Sequence, residues 1–152
     1  MTTADITGAC QCGGVHFSAR QSPLFRAICH CGICQRFNQA SFGDVTVFRA
    51  GAVEAPRADT VAYQHHRWPP IVRRGRCKQC DKPAIEWLDA WLRLAIVPSA
   101  NLQTAKQLPL ASLHIFYDCR VADVEDDLPK YRGYLASQWA FMRRVLGARR
   151  RG

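Results

Sequence analysis

The chain has 152 residues, enough for one domain with its own core, and 48% are hydrophobic against 22% charged, which excludes a disordered or fibrous protein. The formal charge is +9, much of it in arginines near the C-terminus, which read first as a solvated end and second as a non-specific nucleic-acid contact. No apolar run approaches the roughly 20 residues that cross a bilayer, and Met1-Thr2-Thr3-Ala4-Asp5 opens without a signal-peptide pattern, so the expectation is a cytoplasmic protein with no membrane partner.

Alternating patterns predict strands at Val15 to Arg20, Leu24 to Ile28 and Phe42 to Phe48. Further short strands are expected over Thr60 to Gln64, Ile71 to Arg74, Ala84 to Leu88 and Leu92 to Val97. Leu113 to Cys119 is the last, with Gly13-Gly14, Ser22-Pro23, Gly51, Pro69-Pro70 and Pro98-Ser99 as turns between them. From about Lys130 to Leu146 the period changes: Tyr131, Tyr134, Leu135, Trp139, Met142 and Leu146 recur at helical spacing and predict an amphipathic helix with that stripe inward. The fold class is therefore mainly β with a C-terminal helix. Residues 1–152 form a single zinc-binding domain, its core about 6–133 and a basic helix and tail over 134–152.

Eight cysteines in a reducing compartment are not a disulfide framework, and their close spacing fits metal ions better. Cys77-Lys78-Gln79-Cys80 is a C-x-x-C knuckle, and Cys10-Gln11-Cys12 is a tighter turn with Gly13 and Gly14 behind it. These four sulfurs would complete a closed tetrahedral zinc site. Cys29-His30-Cys31-Gly32-Ile33-Cys34 offers three more, which leaves one coordination position for water or substrate, as catalytic zinc sites do. His30 is a fourth donor in principle, but between two inward-turning ligands it is expected to face away. Two zinc ions per chain is the expected cofactor content, with the division of the seven ligands left open by spacing alone.

Other residues carry weaker signals. Cys119 reads as a small core hydrophobe at the end of the last strand, with His114 on that strand's opposite face. His65-His66 and Arg67-Trp68-Pro69-Pro70 read as an exposed loop. Trp68, Trp87, Trp91 and Trp139 are scattered over different elements and read as core and rim, not as a base-stacking platform.

The ordered set Gly8-Ala9-Cys10-Gln11-Cys12-Gly13, Cys29-His30-Cys31-Gly32-Ile33-Cys34, Cys77-Lys78-Gln79-Cys80, His114-Ile115-Phe116 and Asp126-Asp127-Leu128-Pro129-Lys130-Tyr131 resembles the glutathione-dependent formaldehyde-activating enzyme family, which includes centromere protein V. The match runs from about residue 6 to 133. Arg76 stands where family members have an aromatic, Asp81 where they have glycine, and a tryptophan near Ala122 and Asp123 is missing.

The resemblance implies a β-tent of small antiparallel sheets around two zinc sites. It implies Cys10, Cys12, Cys77 and Cys80 as structural ligands and Cys29, Cys31 and Cys34 as catalytic ones. It also implies a carbon–sulfur lyase-type activity joining formaldehyde, or a related small carbonyl, to glutathione or another thiol. Arg36, Arg73 and Arg74 lie near the ligands in sequence and are candidates for the thiol's carboxylates. The alternative is a non-enzymatic zinc module whose basic end, with Arg143, Arg144, Arg149, Arg150 and Arg151, holds nucleic acid or a protein partner.

Overall fold

The computed structural model describes residues 5–103 and 108–151. Chain order begins with β1 (Ile6–Ala9), β2 (His16–Ala19) and β3 (Phe25–Cys29), then α1 (Gly32–Asn38), β4 (Gly43–Arg49), β5 (Val53–Glu54) and β6 (Val61–Gln64). It continues with β7 (Val72–Cys77), β8 (Pro83–Asp89), β9 (Arg93–Pro98), β10 (Ala111–Ile115) and α2 (Tyr134–Arg149). The mainly-β reading with a C-terminal helix holds. No helix among the described residues is long and apolar enough to cross a membrane.

A three-stranded sheet runs β1-β2-β5, and a seven-stranded sheet runs β10-β3-β4-β9-β8-β7-β6. All neighbours pair antiparallel except β10, which lies parallel to β3. Side chains alternate across a strand, so the large sheet feeds two cores. On one face Phe48, Ile85, Trp87, Ala95 and Val97 meet Ile6, Phe17 and Val53 of the small sheet, with Cys10 and Cys77 in the same cluster. On the other, Val45, Val47, Leu94, Leu113 and Ile115 pack under Ala140 and Val145 of α2, with Cys29 and Cys34 among them. Each core thus ends in cysteines from its own side of the sheet.

Two expectations fail here. The predicted inward stripe of α2 is inward only in part: Tyr131 and Met142 pack on the core, but Leu135 is 81% exposed and Trp139 58%, with Tyr134 and Leu146 also exposed. The buried residues are Ser137, Ala140 and Val145. The helix lies close against β10, near enough for the Ser137 hydroxyl to accept from the Phe116 N–H at 2.8 Å, and a close approach needs small side chains.

The last strand, expected to reach Cys119, stops at Ile115. Phe116 takes a left-handed conformation (φ 53°), rare for a bulky residue. It turns the chain into a single 3-10 turn over Tyr117–Cys119. Cys119 is therefore exposed and not core.

Candidate functional site

The first cysteine group forms where two turns meet. After β1 the chain reverses through a Gly13 N–H to Cys10 carbonyl bond of 3.0 Å, with Gly13 at φ 77°. The β7–β8 turn is closed by Asp81 N–H to the Cys77 carbonyl (2.9 Å) and Cys77 N–H to the Lys82 carbonyl (3.0 Å). Asp81 sits at φ 57°, a conformation aspartate tolerates better than most residues.

The Sγ atoms of Cys10, Cys12, Cys77 and Cys80 all lie within 4.8 Å of one another. Cys10–Cys12 is 3.5 Å and Cys12–Cys77 is 3.7 Å, close to the edge of about 3.8 Å for a tetrahedron with Zn–S near 2.3 Å. Backbone N–H groups of Gly14, Val15 and Gln79 donate to the sulfurs of Cys12, Cys10 and Cys77 at 3.3, 3.3 and 3.4 Å, which favours thiolates. Gly14 is required by space: a Cβ there would stand 3.2 Å from the Cys12 sulfur and 2.9 Å from the Gln79 side-chain oxygen. The donor set and spacing fit zinc.

The second group spans the β3–α1 junction. Cys29 ends β3, and Cys31 caps α1, its sulfur accepting the Cys34 N–H at 3.3 Å. Cys34 lies in the first turn, and the three sulfurs are again mutually within 4.8 Å. Hydrogen bonds from the Cys29 and Cys34 thiols pull Cys31 far below the ordinary thiol range, and the same bonds push Cys29 and Cys34 above it. Three convergent soft donors suit zinc as well. Sequence reasoning left the ligand division open; these are the two groups the fold assembles.

A cavity of about 260 Å³ opens onto Cys29, Cys31 and Cys34. Its floor carries one buried ion pair. The β7–β8 register sets Arg74 opposite Glu86, and the Arg74 Nε stands 2.8 Å from the Glu86 Oε1. The N–H does not point along that line, so neither atom completes a hydrogen bond there. Burial raises the Glu86 carboxyl to about 7, against the pull of Arg74. Glu86 was not singled out from the sequence. Its signal was an acid between Ile85 and Trp87, facing opposite to both.

Of the arginines proposed for substrate, only Arg74 lines the cavity. Arg73 pairs with Asp89, and Arg36 lies exposed on α1 outside the lining. Arg67, absent from that set, does line it, stacked 4.5 Å over the Tyr134 ring. His65 and His66 are exposed and outside the lining. Arg76 places its guanidinium 4.9 Å from the Phe37 ring centroid and donates to the Phe37 carbonyl at 2.8 Å, tying the Cys77 strand to the end of α1.

His30 turns away from the sulfurs, as expected. It is buried, with its Nε2 2.8 Å from His114 Nδ1. His114 Nε2 in turn reaches Asp126 Oδ2 at 2.8 Å, and Lys130 Nζ holds the other oxygen at 2.5 Å. A carboxylate only accepts, so His114 donates to Asp126 from Nε2. The other ring nitrogen of His30, Nδ1, is buried with no hydrogen-bond partner. The Gln35 amide also donates to the His30 carbonyl (2.7 Å) and to the Cys119 carbonyl (2.8 Å). These bonds fix the backbone between two of the three sulfurs, the support that ligand-bearing segments need. Asp126 and Lys130 entered the sequence reading only through the family motif.

No curated protein matches the chain. Among solved structures, a Rhodobacter sphaeroides protein determined as a structural-genomics target is similar, with a TM-score of 0.54 at 16% identity. The similarity covers 68% of this chain and 97% of that one, and it speaks for the fold alone. The family model described as glutathione-dependent formaldehyde-activating enzyme matches residues 5–119. With both cysteine groups and the His30 to His114 contact within that span, the chain belongs to the glutathione-dependent formaldehyde-activating enzyme family.

Proposed function

We propose that the protein joins a thiol to formaldehyde or a related small carbonyl at the three-cysteine group, a carbon–sulfur lyase-type reaction run toward synthesis in a reducing, cytoplasmic compartment. The observation that carries this reading is the convergence of Cys29, Cys31 and Cys34 at the wall of a cavity, whereas Cys10, Cys12, Cys77 and Cys80 offer a complete four-sulfur set. A zinc ion held by Cys29, Cys31 and Cys34 would keep an incoming thiol deprotonated near neutral pH and hold its sulfur in place. The second, four-sulfur zinc would be structural.

In the reaction the thiol sulfur forms a bond to the carbonyl carbon, the C=O π pair moves to oxygen, and that oxygen takes up a proton. Nothing is oxidised or reduced. The chain's own residues supply orientation: apolar walls exclude water, and the Arg74 guanidinium at the floor is the donor available to a developing oxyanion. NMR exchange between formaldehyde, glutathione and S-hydroxymethylglutathione tests the reading. Zinc-replete protein should exceed the spontaneous rate and Cys31→Ser should not, and the same comparison is run with 3-mercaptopropionate and benzyl mercaptan; equal rates for the two proteins with every thiol would reject the reading.

A second reading draws on another feature. A groove of about 1080 Å³ beside α2 is lined by Arg20, Arg49, Arg143, Arg144 and Arg151, with no Asp or Glu in its lining. That charge suits a nucleic-acid backbone in a non-enzymatic module. Binding of an oligonucleotide should then weaken steeply with salt and in Arg143→Ala/Arg144→Ala; salt-insensitive binding would discard it.

A further inference from the structure

The cavity over the three cysteines is a poor host for a multiply charged thiol. Its walls are Ile33, Val45, Ile71, Leu88, Ile96 and Phe141, with Phe116 and Met142 beside them. At about 260 Å³ it falls below the roughly 300–1,000 Å³ usual for small-molecule pockets.

Charge narrows the choice further. The charged lining residues besides the cysteines are Arg67, Arg74 and Glu86. Arg74 is paired with Glu86 at 2.8 Å in the cavity lining. Arg67, exposed and stacked on Tyr134, is the one lining cation without an acid at salt-bridge distance among the described residues. Three thiolates around a divalent ion carry a net negative charge, so the sulfur end repels further anions. Glutathione brings two carboxylates, an ammonium and two peptide groups. Docked sulfur-first, it would set polar groups against aliphatic walls, and an unpaired buried charge is costly.

We propose that this cavity selects a small thiol with an apolar body and at most one carboxylate, which Arg67 meets at the mouth, in preference to glutathione. The proposal rests on the thiol–carbonyl reading above and names its substrate class. The apolar body lies against Ile96, Leu88 and Phe141, and the sulfur points to Cys31. Arg67 is a specificity-determining residue.

The test uses full-length protein with cobalt(II) in place of zinc and follows the increase in sulfur-to-cobalt charge-transfer absorption when an external thiol joins the metal. Benzyl mercaptan, 3-mercaptopropionate and glutathione are titrated in turn. The expected result is a dissociation constant at least tenfold lower for benzyl mercaptan than for glutathione. In Arg67→Ala the affinity of 3-mercaptopropionate relative to benzyl mercaptan should fall at least fivefold. Because Arg67 is an exposed loop residue, this variant keeps the fold. Glutathione binding as tightly as benzyl mercaptan, or an unchanged ratio in Arg67→Ala, overturns the substrate class while leaving the thiol site intact. No increase in that absorption with any of the thiols overturns the thiol–carbonyl reading, and the substrate class with it.

Discussion

Replacing His114 with alanine tests whether the buried imidazole pair supports the three-cysteine segment. His114 is 1% exposed and bridges His30 and Asp126. Its removal leaves the buried His30 Nε2 without a partner, at about 1–3 kcal/mol for an unsatisfied buried polar group. Lost packing of the ring adds roughly 1 kcal/mol or more. Asp126 loses little, because its side chain is 31% exposed and keeps Lys130. The sum is about 2–4 kcal/mol, and at about 2–4 °C per kcal/mol for a chain of this size, Tm should fall by roughly 4–16 °C. Loss of an outer support of this kind also weakens metal binding by about 10–100-fold, and the loss should be confined to the three-cysteine group. Thermal unfolding of zinc-replete protein, with competition against a chromogenic chelator, reads both effects. A Tm within 2 °C of wild type, or equal weakening of both metal groups, would show that the imidazole pair is not the support described. His114→Gln, which retains a polar partner for His30, should recover part of the loss.

Three further outcomes are expected. Cys80→Ser should lower zinc content and unfold the domain at markedly lower temperature, whereas Cys31→Ser should lower zinc content with a smaller effect on Tm, by metal analysis and calorimetry. Burial, then the neighbouring His114, depresses the His30 pKa, so the unfolded chain binds its proton more readily; stability is full above about pH 6.5 and is lost as pH falls through that value. His30→Gln should flatten the slope of denaturant midpoint between pH 7 and 5, and an unchanged slope would assign it to other groups. On α2, Leu135→Lys should stay within about 0.5 kcal/mol of wild type, while Ala140→Leu should cost about 1–3 kcal/mol by overpacking. The reverse order in urea titrations would restore the predicted inward stripe.

Strand positions were largely legible because strands covered on both faces read as short apolar runs bounded by turn residues, as over Val45 to Phe48 and Leu94 to Val97. Helix α1 was not, since its seven residues carry Cys34 and follow directly on Cys31, a C-x-x-C pair that reads as a metal site. The orientation of α2 was misread because hydrophobic size marks a stripe, while tight packing on β10 selects Ser137 and Ala140. Cys119 went wrong at Phe116, whose left-handed turn no periodicity announces. The spacing of Cys77 and Cys80 pointed to one turn; their meeting with Cys10 and Cys12 depends on the small sheet, whose β1 and β5 were not anticipated. Glu86 and Arg67 belong to a wall that only tertiary structure assembles.

The parallel pairing of β10 with β3 has a consequence for the order in which the protein is made. Cys29, Cys31 and Cys34 leave the ribosome early, but His30 meets His114 across 84 residues of chain, and Asp126, Lys130 and α2 come later still. A chain emerging N-terminus first can gather all four sulfurs of the other group once Cys80 is out, with some seventy residues still to come. Through that interval the three early thiols lack their finished walls and stand open to oxidation. Biosynthesis thus favours filling the four-sulfur group first, and translation speed through residues 81–133 sets how long the reactive cluster is unguarded.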